Sequence, residues 1–76
     1  MNNRLRDLRE DRDLTQMQMA KILNMSQTGY SKYETGENDI PTDVLVQLAI
    51  YFGTSVDYIL GITDIIKPYN RKKTLQ

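Results

Sequence analysis

The stretch QMQMAKILNMSQTGYSKYETG, residues 16–36, decides the fold. Thr15 just ahead of it and Ser26 within it are hydroxyl residues standing before helix-forming runs, where a side-chain oxygen satisfies free backbone N–H groups. They predict one helix over residues 16–23 and another running to about residue 35, stopped by Gly36. Met19, Ala20 and Leu23 form the inner face of the first of these, and Asn24 tolerates the left-handed conformation that ends a helix. Two helices joined by two or three residues must cross steeply. Ala20 supplies the small residue where they touch, while Leu23, Met25, Tyr30 and Tyr33 fill the wedge. The opposite face of the second helix, with Ser26, Gln27, Thr28, Ser31, Lys32 and Thr35, is thereby turned outward.

The flanking sequence repeats the helical pattern. Leu5, Leu8 and Arg9 share one face of an opening helix that polar residues 11–13 bring to an end. After the loop 37–40, Pro41 is a favoured first-turn residue, and Leu45, Leu48, Ala49 and Phe52 mark a strongly amphipathic fourth helix. Gly53 ends it, Thr54 or Ser55 caps a short fifth helix, and Gly61 ends that one. With two prolines, four glycines and no alternating β-branched run, the expected class is all-α, a compact five-helix domain over residues 1–64. Residues 65–76 read as a basic tail, either a dimerisation segment or disordered. Ile62, Ile65, Ile66 and Tyr69 recur at helical spacing, although Pro68 opposes a long helix. Docking of this segment onto its own domain and burial between two copies both remain open.

Composition removes whole classes of function. Seventy-six residues make one domain, burying roughly 60% of the surface its unfolded chain exposes. With no cysteine and no histidine, the chain lacks a disulfide framework, the usual zinc ligands, the commonest general base and the thiol nucleophile. No enzyme, metal site, cofactor or small-molecule ligand is expected. The N-terminus is charged and offers no signal-peptide core. The most apolar run, residues 44–52, is broken by Gln47 and falls short of the roughly 20 residues of a membrane span. A cytoplasmic protein with no membrane partner is therefore expected. Ten basic and ten acidic residues cancel, but residues 1–64 carry a net −4 and residues 65–76 a net +4. Overall charge thus gives nucleic-acid binding no support, and individual positions must carry the argument.

The string LTQMQMAKILNMSQTGYSKYETG, followed by IP and by LVQLAIYFGTSVDYILG, resembles the Cro/C1-type (lambda-repressor-like, XRE family) helix-turn-helix domain over residues 4 to about 64. The anchors are LTQ opening the second helix, Ala20, SKYETG closing the third, and LAIYFGTSVDYILG. The resemblance places the helix-turn-helix at 16–35 and implies a lambda-repressor-like fold. It also implies a sequence-specific transcriptional regulator, a repressor binding a palindromic operator in double-stranded DNA as a homodimer. On that footing Gln27, Thr28, Ser31 and Lys32 are the expected base contacts. Glutamine bonds adenine in two places, lysine reaches guanine acceptors and threonine offers a methyl to thymine. Gln16, Ser26, Lys21 and Asn38 are the expected phosphate contacts; Gln16 opens a helix, where amide, free N–H groups and dipole converge on an anion.

The resemblance further implies a partly buried ion pair between Arg9 and Glu34. The apolar groups Tyr58, Ile59, Ile62, Ile65 and Ile66 exceed what so small a core can absorb and are the expected dimer interface. Two positions depart from the family pattern. Asn24 stands where glycine is usual, and the loop after the third helix, often basic, reads Glu37-Asn38-Asp39. The acidic balance of residues 1–64 keeps an alternative open, a protein-interaction module of the same fold in an antitoxin or anti-repressor role. Tyr30 and Tyr33 read as core residues rather than base-stacking ones, and Gly29 inside the recognition helix has no account from sequence.

Overall fold

Hydroxyl side chains fix where three helices begin. In the computed structural model, which describes residues 3–69, the helices are α1 (Leu5–Asp11), α2 (Gln16–Ile22), α3 (Gln27–Thr35), α4 (Thr42–Phe52) and α5 (Val56–Leu60). Thr15 accepts the Gln18 N–H at 3.1 Å, and the Gln18 side chain accepts the Thr15 N–H at 2.8 Å, closing a reciprocal capping box on α2. Ser26 accepts the Gly29 N–H at 3.1 Å and starts α3. Of the two candidates for α5, Ser55 caps it by accepting the Tyr58 N–H at 3.0 Å, whereas Thr54 donates its hydroxyl to the Ile66 carbonyl. Pro41 lies one residue outside α4 in extended conformation rather than in the first turn, and its carbonyl accepts the Leu45 N–H. No strand occurs among the described residues, and the fold is all-α as expected.

The α2–α3 turn is built as its residues require. α2 ends at Ile22 with Leu23 as its C-cap, and Asn24 adopts φ +57°. The Met25 N–H then bonds the Ala20 carbonyl at 2.9 Å, bringing α3 back against the buried Ala20. Asp13 at φ +56° makes a second left-handed turn, between α1 and α2, that the sequence reading treats only as a polar helix end. Aspartate and asparagine are the non-glycine residues that reach this region at least cost.

All five helices feed one core of Leu5, Leu8, Met19, Ala20, Tyr30, Leu48, Ala49, Phe52 and Ile59. Ile59 has no exposed surface and belongs to the core, so it cannot belong to the interface expected of it. Burial of such a side chain contributes about 1.5–3 kcal/mol. Arg4 closes the domain from the other end. Its N–H bonds the Ile59 carbonyl at 2.8 Å, and its guanidinium donates to the Tyr58 carbonyl at 2.9 Å, to the Thr63 carbonyl and to Asp64. The same guanidinium lies 4.3 Å from the centre of the Tyr58 ring, leaving that tyrosine half-buried inside one chain.

Residues 61–69 run without helix across this end of the domain. The Thr54 hydroxyl holds their backbone at the Ile66 carbonyl, and the Tyr69 hydroxyl donates to the Asp57 carboxylate. Their isoleucines nevertheless face outward, Ile62 at 68%, Ile65 at 67% and Ile66 at 50% exposed. The backbone therefore docks on its own domain while the apolar side chains remain uncovered. The basic residues Arg71, Lys72 and Lys73 of the expected tail lie outside the described residues. No helix among the described residues is long and apolar enough to cross a membrane.

Candidate nucleic-acid interface

The outward face of α3 and the first residue of α2 meet in one shallow polar groove lined by Gln16, Gln27, Thr28, Ser31, Lys32 and Glu37. The four residues expected to read bases are thus brought together with Gln16. Gln27 and Thr28, at the start of α3, are exposed, and Ser31 and Lys32 one turn later are half-exposed. These side chains are free to approach because Tyr30, on the other side of α3, is fully buried and fixes the helix's rotation. Among the described residues, no cluster of carboxylates suited to a metal ion occurs.

The remaining expected contacts are placed less favourably. The Ser26 hydroxyl is engaged as the α3 cap. Lys21 is exposed, but borders a separate notch with Met17, Gln18, Ala20, Met25 and Gln27. Asn38 is exposed beyond the groove, its N–H bonded to the Lys32 carbonyl at 3.1 Å. Glu37, read from the sequence only as part of an acidic loop, proves to line the groove itself. Gly36, left-handed at φ +80°, turns the chain back so that the Glu37 carboxylate comes within 4.0 Å of the Lys32 ammonium. The SKYETG ending carried that signal, since a left-handed C-cap reverses the chain beside the last helical turn.

Gly29 gains an account from its surroundings. A Cβ added there would stand 3.1 Å from both the Met25 methyl and the Ser26 hydroxyl that caps the helix. Glycine leaves room for the cap and the turn methionine at the entry to α3.

Behind the groove, Arg9 of α1 forms a two-pronged pair with Glu34 of α3, Nε to Oε2 at 2.6 Å and Nη2 to Oε1 at 3.2 Å. Its third nitrogen donates to the Leu14 carbonyl at 2.7 Å, so one guanidinium ties α1, the α1–α2 loop and α3 together. Gln16 Nε2 also donates to Glu34, at 3.1 Å. Burial works against the Glu34 charge, but the hydrogen bonds from Arg9 and Gln16 and the Arg9 charge outweigh it and hold its carboxyl below the ordinary range. Hydrogen bonding to Glu34 in turn raises the Arg9 pKa against the cost of its burial. The Tyr30 hydroxyl is buried beside this pair without reaching hydrogen-bond geometry. Burial, reinforced by the Glu34 carboxylate, drives it far above the usual phenol range.

Comparison with known proteins agrees with this architecture. The chain matches a helix-turn-helix family model over residues 5–59. It is 41% identical over 73 residues to the uncharacterised HTH-type transcriptional regulator YobD of Bacillus subtilis (strain 168), covering 96% of this chain and 65% of that one. It is 33% identical to the HTH-type transcriptional regulator ImmR of the same organism, over 88% of this chain and 53% of that one. It is 30% identical to the antitoxin PezA of Streptococcus pneumoniae, over 84% of this chain and 40% of that one. The chain therefore spans only between about two fifths and two thirds of the length of these relatives. No solved structure matches it significantly. The match over residues 5–59, on a chain that folds with the helix-turn-helix of α2 and α3, places this chain in the Cro/C1-type helix-turn-helix family.

Proposed function

We propose that the chain is a sequence-specific repressor that binds a palindromic operator as a homodimer in the cytoplasm. The observation that carries this reading is the single groove in which Gln16, Gln27, Thr28, Ser31 and Lys32 converge. A recognition helix in the major groove would bring Gln27, Thr28 and Lys32 to base edges, with Ser31 beside them and Gln16 on the flanking phosphate. One such helix reads only a few base pairs, too few to select a site in a genome, so two copies reading successive major grooves about 34 Å apart are required.

Exposed apolar groups outside the α3 face support a dimer. Besides Ile62, Ile65 and Ile66 they include Val46 and Ile50 on the outer face of α4, 46% and 61% exposed, and Tyr69. Val46, Ile50 and Tyr69 line one groove. Incubating the protein with random duplexes and sequencing those retained tests the proposal. A two-fold repeated half-site supports it, and recovery of no sequence preference overturns it.

The net charge of −4 over residues 1–64 and the similarity to an antitoxin favour one second reading, a domain of this fold whose partner is a protein. Binding to a protein partner with no measurable affinity for duplex DNA at low salt would favour it.

A further inference from the structure

We infer that Glu34, a side chain with no contact to DNA in the proposed reading, is a positioning residue for the Gln16 contact to the nucleic-acid backbone; the inference rests on the function proposed above. Gln16 occupies a boundary. It lines the recognition groove with Gln27 and Lys32, and it also lines the adjoining polar cleft with Arg9 and Glu34. On the cleft side its Nε2 donates to Glu34 Oε1 at 3.1 Å. The Glu34 side chain is only 4% exposed and is itself held by Arg9 at 2.6 Å, so the acceptor cannot wander.

A free glutamine side chain samples many rotamers, and ordering a long polar side chain costs entropy at the moment of binding. An amide anchored through one N–H to a fixed carboxylate keeps its second N–H for a phosphate oxygen and has lost that freedom already. The ion pair thus has two separable consequences. It braces α1 against α3, and it pre-sets one DNA contact.

The two roles respond differently to substitution. Replacing the pair with apolar residues, Arg9→Met with Glu34→Leu, keeps the brace as packing, because buried ion pairs exchanged for hydrophobic residues of similar size are often neutral for stability. It removes the acceptor of Gln16. Glu34→Gln does the reverse, retaining an acceptor oxygen for the Gln16 amide while stranding the Arg9 charge. The full chain is measured by fluorescence anisotropy against the duplex selected by the wild type and against a scrambled duplex, with unfolding midpoints recorded in parallel.

Binding of both duplexes by Arg9→Met/Glu34→Leu is expected to weaken by about three- to tenfold, the cost of ordering one long side chain on binding, with base preference unchanged. In a Gln16→Ala background the same pair of changes is expected to have no further effect. Glu34→Gln is expected to lose stability yet bind near the wild-type level at temperatures where it is folded. Wild-type affinity in a folded Arg9→Met/Glu34→Leu protein would overturn the inference, as would a loss of equal size in the Gln16→Ala background. Should that double variant not fold, the Glu34→Gln result decides: near-wild-type affinity supports the inference, and a loss as large as that of Gln16→Ala overturns it. If the wild type bound no duplex at all, the proposed function would fall first, a result distinct from each of these.

Discussion

Arg9 and Glu34, 25 positions apart in the chain, meet with Nε and Oε2 2.6 Å apart, their side chains 11% and 4% exposed. Breaking such a pair strands a charge out of water, which costs about 3–5 kcal/mol, several times the worth of a surface pair. Arg9→Met or Glu34→Leu alone should therefore lower the unfolding midpoint severely, and the two together far less than their sum. A thermal double-mutant cycle with no coupling would assign both residues an ordinary surface role.

The same pair sets an acid limit. The Glu34 carboxyl is held below its ordinary value of 4.5, so its contribution to stability is complete above that value and is lost as pH falls through the lowered one. Unfolding midpoints measured from pH 7 to pH 3 should fall on the acid side of about 4.5, and less steeply in Arg9→Met/Glu34→Leu, where the other carboxylates remain. Parallel profiles for the two proteins would contradict this origin.

Asn24 and Asp13 hold φ near +57° and +56°. Changing either to alanine should cost about 1–2 kcal/mol, because a Cβ without a compensating polar group disfavours the left-handed region. Glycine at either place should be tolerated. Chemical denaturation midpoints distinguish the two substitutions, and an alanine variant as stable as the wild type would argue against the left-handed turns.

How much of this was legible in the sequence follows from the range of each interaction. Caps, turns and inward stripes are local, so Thr15, Ser26, Asn24 and Tyr30 announce themselves within a few residues. The groove residues Gln27, Thr28 and Lys32 follow because Tyr30 fixes the opposite face. Features that need distant parts of the chain were not legible. The Arg4 clamp spans more than 50 positions, to Tyr58 and Thr63. The Gln16–Glu34 bond crosses between helices, and Ile59 reads as a further apolar residue until the core shows which side of α5 is covered. Val46 and Ile50 do not stand out in the sequence because the inner stripe of α4, Leu45, Leu48, Ala49 and Phe52, already accounts for its packing.

Ile59 and the neighbouring isoleucines should respond in opposite ways. Ile59→Glu places a charge in a fully buried position and should unfold the domain. Ile62→Glu with Ile66→Glu changes exposed side chains and should give a folded monomer with much weaker operator binding and unaltered base preference. Sedimentation at micromolar concentration, with and without operator, reads both outcomes. An unchanged dimer in the latter variant would move the interface elsewhere.

Within the groove, Gln27→Ala and Lys32→Ala should each cost about 1–3 kcal/mol in binding and relax preference at one position per half-site. Gln16→Ala should weaken all sequences alike, as a backbone contact does. Unchanged discrimination in Gln27→Ala, Lys32→Ala and their combination would remove α3 as the reading element.

The most direct test of the account is the affinity of the full chain for its selected duplex and for a scrambled one, measured across a series of salt concentrations. Binding through α3 and flanking phosphates predicts a log–log slope of about −0.9 for each phosphate neutralised, and about 10³-fold or greater preference for the selected duplex at physiological salt. Equal affinity for the two duplexes, or no binding to either at low salt, would contradict it.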